Sequence, residues 1–119
     1  MPLGQTQSLG ATTYLQNGDY IGSGFIIQGV GATLPSVAGV LTGVTNEIHI
    51  VSGALAITGI TIPVLISGVP FDGCQITLIP TGAFTTTNAT NIAIASTAVV
   101  GKALTMTYLA STSKWYPSY

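Results

Sequence analysis

His49 is the single histidine of the 119 residues, and Glu47 stands two positions before it in Glu47-Ile48-His49-Ile50-Val51. Residues i and i+2 of a strand share a face, so the two could form an acid–imidazole dyad. Such a pair does chemistry only with a nucleophile or a further ligand beside it. The other acids are Asp19 and Asp72, and the one thiol is Cys74. None of them stands at triad or metal-ligand spacing from His49. A lone thiol closes no disulfide within the chain, and free cysteine commonly packs as a small apolar residue. The inventory therefore predicts no catalytic activity and no metal or organic cofactor, with His49 on a half-polar strand face. A cross-subunit role for His49, meeting its symmetry mates at a threefold axis, is the minority alternative.

Other motifs are weaker. Gly22-Ser23-Gly24 and Gly29-Val30-Gly31 lack both the P-loop lysine and the dinucleotide-binding glycine spacing, and read as turns. Asn88-Ala89-Thr90 has the form of a glycosylation acceptor. The start, Met1 to Gln7, carries no basic segment followed by an apolar run and so does not read as a secretory signal, which discounts that acceptor. Asp72-Gly73 suits a two-residue hairpin turn leading into Gln75 to Ile79.

Aromatic residues form the other group with possible chemistry. Tyr108, Trp115, Tyr116 and Tyr119 cluster late in the sequence around Lys114 and Pro117, and Tyr14, Tyr20 and Phe25 punctuate its first part. Aromatics offer large contact areas and are enriched at interfaces. These seven are the candidate interface residues, with packing on a neighbouring subunit the first reading and stacking on a sugar the second.

Charge decides among partners. Only 4% of residues are charged, with a net charge of -1, against 47% hydrophobic, where a soluble domain carries roughly 25% charged residues. Two basic side chains cannot neutralise a row of phosphates or hold an anionic bilayer surface, which excludes nucleic acid and membrane as partners. Disorder is excluded too, because it combines low hydrophobicity with high charge. Ile48 to Phe71 holds no Asp, Glu, Lys or Arg, yet Pro63, Pro70 and its β-branched residues suit strands and turns better than a membrane helix. A domain this small has too much surface to bury so many apolar residues alone, so the surplus points to permanent assembly with other chains.

The elements that position these residues are strands. Alternation is clear in Glu47–Val51, Ala56–Thr58, Thr61–Ile66, Gln75–Ile79, Asn91–Ala95 and Ala103–Tyr108, each bounded by Gly, Pro, Asn, Asp or Ser. The pattern predicts an all-β fold: a small sandwich or barrel, jelly-roll-like, of roughly six to eight short strands. Ile48, Ile50, Ile57, Ile62, Leu65, Ile76, Leu78, Ile92, Ile94, Leu104 and Met106 form its expected core. Residues 1–45 read as a Gly-rich extended arm or irregular layer and 46–119 as the β body. Ile-x-Ile units recur, but their spacing drifts, and no solenoid period emerges.

From Ile57 to Tyr119 the chain resembles, in texture, the small all-β structural proteins of tailed bacteriophages. The resemblance rests on Leu104-Thr105-Met106-Thr107-Tyr108, a polar Ala110-Ser111-Thr112-Ser113 hairpin and Lys114-Trp115-Tyr116. It rests also on Asp72-Gly73 before Ile76-Thr77-Leu78-Ile79, and on Asn91-Ile92-Ala93-Ile94-Ala95 after a Thr/Asn-rich turn. It implies a homotrimeric virion component. The first expectation, taken from a short chain with its own Met1, is a capsid cement or decoration protein on the capsid surface. Its partners would be its own copies and the major capsid protein, the latter met by Pro2 to Gly31. The alternative is a tail-fibre or receptor-binding module contacting host-surface carbohydrate.

Overall fold

The computed structural model describes residues 20–21, 26–64 and 67–119. Twelve strands are present in them: β1 Tyr20–Ile21, β2 Ile26–Val30, β3 Leu34–Pro35, β4 Val40–Leu41, β5 Asn46–Ser52, β6 Ala56–Ile57, β7 Gly59–Ile60, β8 Gln75–Pro80, β9 Thr85–Thr86, β10 Ser96–Thr97, β11 Leu104–Leu109 and β12 Lys114–Pro117. Among the described residues there is no helix, and the all-β class predicted from turn-bounded alternation is what is observed.

Within that class the chain winds in stacked coils. The largest sheet runs β1-β2-β5-β8-β11-β12 with β3 also on β5, a second runs β10-β9-β6, and a third pairs β4 with β7. The pairs β2/β5, β3/β5, β5/β8, β4/β7 and β6/β9 are parallel, each joining one coil to the next. A jelly-roll-like arrangement would instead make neighbours antiparallel. Ser52-Gly53 and Thr81-Gly82, which bound strand runs in the sequence, are corners at which the chain leaves one sheet for the next. Asp72-Gly73 is also a turn, with Gly73 at φ 80°, but the neighbours of β8 are β5 and β11. Antiparallel pairs lie at the ends of the large sheet, where β1 joins β2 and the β11–β12 hairpin closes on β8, and in the second sheet, where β10 joins β9.

The coil repeat is hidden by unequal steps. Leu34 stands beside Val51 and Val51 beside Pro80, steps of about 17 and about 29 positions where a visible repeat needs one period. The extra residues lie between β7 and β8, where Val64 bridges Pro70. Corners are held tightly: a Cβ on Gly82 would lie 2.2 Å from the Gly53 carbonyl oxygen, and one on Gly53 2.6 Å from Ser36 Oγ. Only glycine lets these corners stack at coil spacing.

One core fills the stack. Leu34, Leu41 and Val44 belong to it together with Val51, Ile57, Ile60, Ile76, Leu78, Phe84, Ile92, Leu104 and Met106. Residues 26–45, within the stretch read as arm or irregular layer, supply β2, β3 and β4 to these sheets and Leu34, Leu41 and Val44 to the core. The stretch 1–19 lies outside the described residues, as does Leu65. Strands β8 and β11 bury Ile76, Leu78, Leu104 and Met106 as the alternation predicts. In β5 the faces are exchanged: His49 and Val51 are buried, while Ile48 and Ile50 are half-buried on the opposite face. Ile62 and Ile94, also expected inside, are exposed, the first in the segment after β7 and the second beyond the bridge at Ile92.

Candidate functional site

His49 and Glu47 lie on one strand, but their environments differ. Glu47 is exposed, whereas His49 is 0% exposed. The imidazole Nε2 accepts the backbone N–H groups of Thr45 at 3.1 Å and Asn46 at 3.0 Å, and Nδ1 lies 2.7 Å from the Ala32 carbonyl oxygen. With Nε2 accepting, the ring proton belongs on Nδ1, which donates to Ala32. Every polar atom of the ring is therefore used to tie the end of β2 to the turn before β5. A ring so committed has no lone pair for a metal or a substrate.

Gly31 makes this possible. A Cβ there would lie 2.4 Å from His49 Cε1 and 2.7 Å from Asn46 Oδ1, so the ring occupies the space a side chain would need. Among the described residues no three of His, Cys, Asp and Glu come together. Cys74 is buried, and burial pushes its thiol up to about 11, away from the thiolate a nucleophile needs. Asp72 Oδ1 accepts the Ala110 N–H at 2.8 Å, steadying the turn at the end of β11.

Of the aromatic candidates, Tyr108 and Trp115 are inside the chain's own core, so their area is not offered to a neighbouring subunit. The burial follows from the strand period: both face inward from paired positions of the β11–β12 hairpin. Their rings meet edge to face, 5.3 Å between centroids and 61° between planes, an arrangement the ring quadrupoles favour. Trp115 is also tied to two coils. Its Nε1 donates to the Ile60 carbonyl at 3.3 Å, its backbone N–H donates to the Asn91 carbonyl at 2.7 Å, and its carbonyl accepts from Ala93 at 2.8 Å.

Asn91 completes this closure, and its role was not apparent in the sequence. Its Oδ1 accepts the Ile60 N–H at 2.8 Å, and its Nδ2 donates to the Ile60 carbonyl at 2.6 Å. The side chain thereby serves both backbone groups of Ile60 in β7 as a paired strand would. Asn91–Ala95, expected as a strand, makes a single bridge from Ile92 to Trp115. A buried asparagine carries no such label in a sequence; its place in a Thr/Asn-rich segment suggests only a turn.

Tyr116 and Tyr119 remain at the surface. Tyr116 is exposed and its hydroxyl donates to Thr112 Oγ1 at 3.0 Å. Tyr119 is half-buried: its hydroxyl donates to the Lys102 carbonyl at 2.7 Å and accepts the Val99 N–H at 3.1 Å. The Lys102 ammonium stands 4.4 Å over its ring, and Ser96 Oγ donates to its backbone carbonyl. Tyr14 and Phe25 lie outside the described residues, and Tyr20 is placed only as part of β1.

Several large apolar side chains lie at the surface. Val30, Leu55, Val69, Ile94, Val99 and Val100 are each at least half exposed, from 50% at Val99 to 64% at Val30. Single exposed apolar residues are ordinary, whereas contiguous ones mark interaction surfaces. Comparison with protein-family models, with curated proteins and with solved structures finds no match to the chain.

Proposed function

We propose that this chain is a non-catalytic structural component of a virion, of the tailed-phage type, that assembles with copies of itself as a homotrimer. The observation that carries the reading is a stack of parallel coils closed by the Trp115 hairpin and carrying exposed apolar residues on its sides. A coil stack grows along one axis and needs an end that is capped. That geometry suits the end of a rod, and so favours the fibre or receptor-binding module over decoration of a flat capsid shell. Its scarce charge fits the same role, since contacts made by shape and apolar area survive salt that would screen ion pairs. The hydrogen-bonded commitment of His49 and the burial of Cys74 are consistent with a role that involves no catalysis.

Two measurements test this. Native mass spectrometry of the purified chain should give three copies; a monomer at tens of micromolar would overturn the self-assembly. Antibody labelling of particles carrying the protein should mark the tail. Labelling spread over the shell would return the reading to a capsid decoration protein bound to the major capsid protein.

A further inference from the structure

Residues 32–45 form one coil of the stack, pairing β3 with β5 and β4 with β7 and giving Leu34, Leu41 and Val44 to the core. The His49 ring closes the base of that coil. Its Nδ1 donates to the Ala32 carbonyl at 2.7 Å, where the coil begins, and its Nε2 accepts the Thr45 and Asn46 N–H groups at 3.1 and 3.0 Å, where the coil ends. This bonding suits a neutral imidazole alone. A proton on Nε2 would face two donors and leave both without an acceptor, in a ring that is 0% exposed. On the Gly31 side the ring has no room to turn, because it already fills the space that a Cβ there would take.

Nothing nearby offsets a positive ring. Leu78 of β8 stands in register with His49, and β2, β3, β8 and residues 32–45 hold no titratable or charged side chain. On β5 itself Glu47 shares the face of His49, but it is exposed. We infer that His49 is an acid-sensitive latch on the coil of residues 32–45. In an opened coil the imidazole titrates near its free value, about pH 6.5, whereas the closed coil holds the ring without the second proton. Proton uptake therefore favours the open form, so the closure is at full strength above about pH 6.5 and weakens as pH falls below it. Opening bares the edges of β5 and β7 that β3 and β4 cover. Mild acid thus exposes unpaired backbone to which another strand can add.

The test is amide hydrogen exchange of the full chain at pH 7.5 and pH 5.0, read as protection factors so that the intrinsic pH dependence of exchange cancels. The Ser36 N–H donates to the Ser52 carbonyl, and the Thr58 and Thr61 N–H groups donate to Gly39 and Leu41. These three amides report the coil, and the Tyr108 N–H, which donates to the Cys74 carbonyl, reports the body. In the wild type the three should lose about 30-fold in protection at pH 5.0, the ratio set by about 1.5 pH units below the free imidazole, while Tyr108 keeps its own. The loss should vanish in His49→Gln, which takes up no proton, and persist in Glu47→Gln. Coil amides that do not respond, a loss as large at Tyr108, or a loss that persists in His49→Gln or disappears in Glu47→Gln would overturn the latch. Should His49→Gln fail to fold, the ring nitrogen chemical shifts of the wild type decide: a ring that gains its proton only as the coil amides lose protection supports the latch, and one that gains it while they stay protected overturns it.

Discussion

The ring of His49 fills the volume that the absent side chain of Gly31 leaves, with Cε1 2.4 Å from where a Cβ would stand. The two positions are therefore one structural unit. Gly31→Ala should cost about 1–3 kcal/mol, the usual price of overpacking. His49→Ala should cost at least as much, because it strands two N–H groups and a carbonyl. In urea titrations the double variant should be less destabilised than the two single effects together, since removing the ring also removes the clash. Strict additivity would show that the two positions are independent.

Trp115 should dominate the stability of the C-terminal closure. Trp115→Ala removes its contact with Tyr108 and its bond to Ile60, a loss of about 3–5 kcal/mol for a large buried aromatic. Trp115→Phe keeps most of the apolar contact and loses the Nε1 donor, so it should cost less. Thermal melts followed by circular dichroism rank the variants: a Trp115→Phe protein that melts with the wild type would refute a role for the indole N–H, and one that melts with Trp115→Ala would refute the ring contact.

Asn91→Asp makes a prediction in pH. The carboxylate keeps an acceptor for the Ile60 N–H but brings a buried negative charge against the Ile60 carbonyl. Protonation restores a donor. Burial raises the folded-state pKa of such an acid above its unfolded value, so the variant should be most stable at low pH and lose stability as pH rises through and beyond the carboxylate range. A variant whose stability relative to wild type is flat from pH 3 to 8 would contradict this account.

Cys74 should be inert in the folded chain. With the thiol pushed up to about 11 from 9.0, its thiolate fraction at pH 8 falls about 100-fold, before burial further restricts access. Iodoacetamide should label the urea-unfolded chain at least about 100-fold faster than the native one at that pH. The same shift makes the thiol's contribution to stability fully present below pH 9 and lost as pH rises toward 11. Comparable labelling rates in the two states would contradict the burial.

The strands themselves were legible in the sequence, and their arrangement was less so. Ile76, Leu78, Leu104 and Met106 face inward as alternation requires, because their neighbours Thr77 and Thr105 mark the outer face without ambiguity. In β5 both faces carry apolar residues, and hydrophobicity alone selects Ile48 and Ile50. The backbone groups of Ala32, Thr45 and Asn46 need His49 inside, and that need reverses the strand. The same limit applies to Trp115, since large aromatics serve cores and interfaces alike. The coil repeat left a trace in Ser52-Gly53-Ala54-Leu55 and Thr81-Gly82-Ala83-Phe84, but its unequal steps conceal it from a search at fixed period.

Closure by Trp115 also orders events during synthesis. Every other buried core residue precedes it in the chain, so the coils leave the ribosome before the side chain that seals them. Until then the end of the stack presents unpaired backbone along β11 and an uncovered Ile60, the kind of edge that recruits other chains. A translation arrest shortly before Trp115 should therefore yield a nascent chain that is sticky rather than merely incomplete.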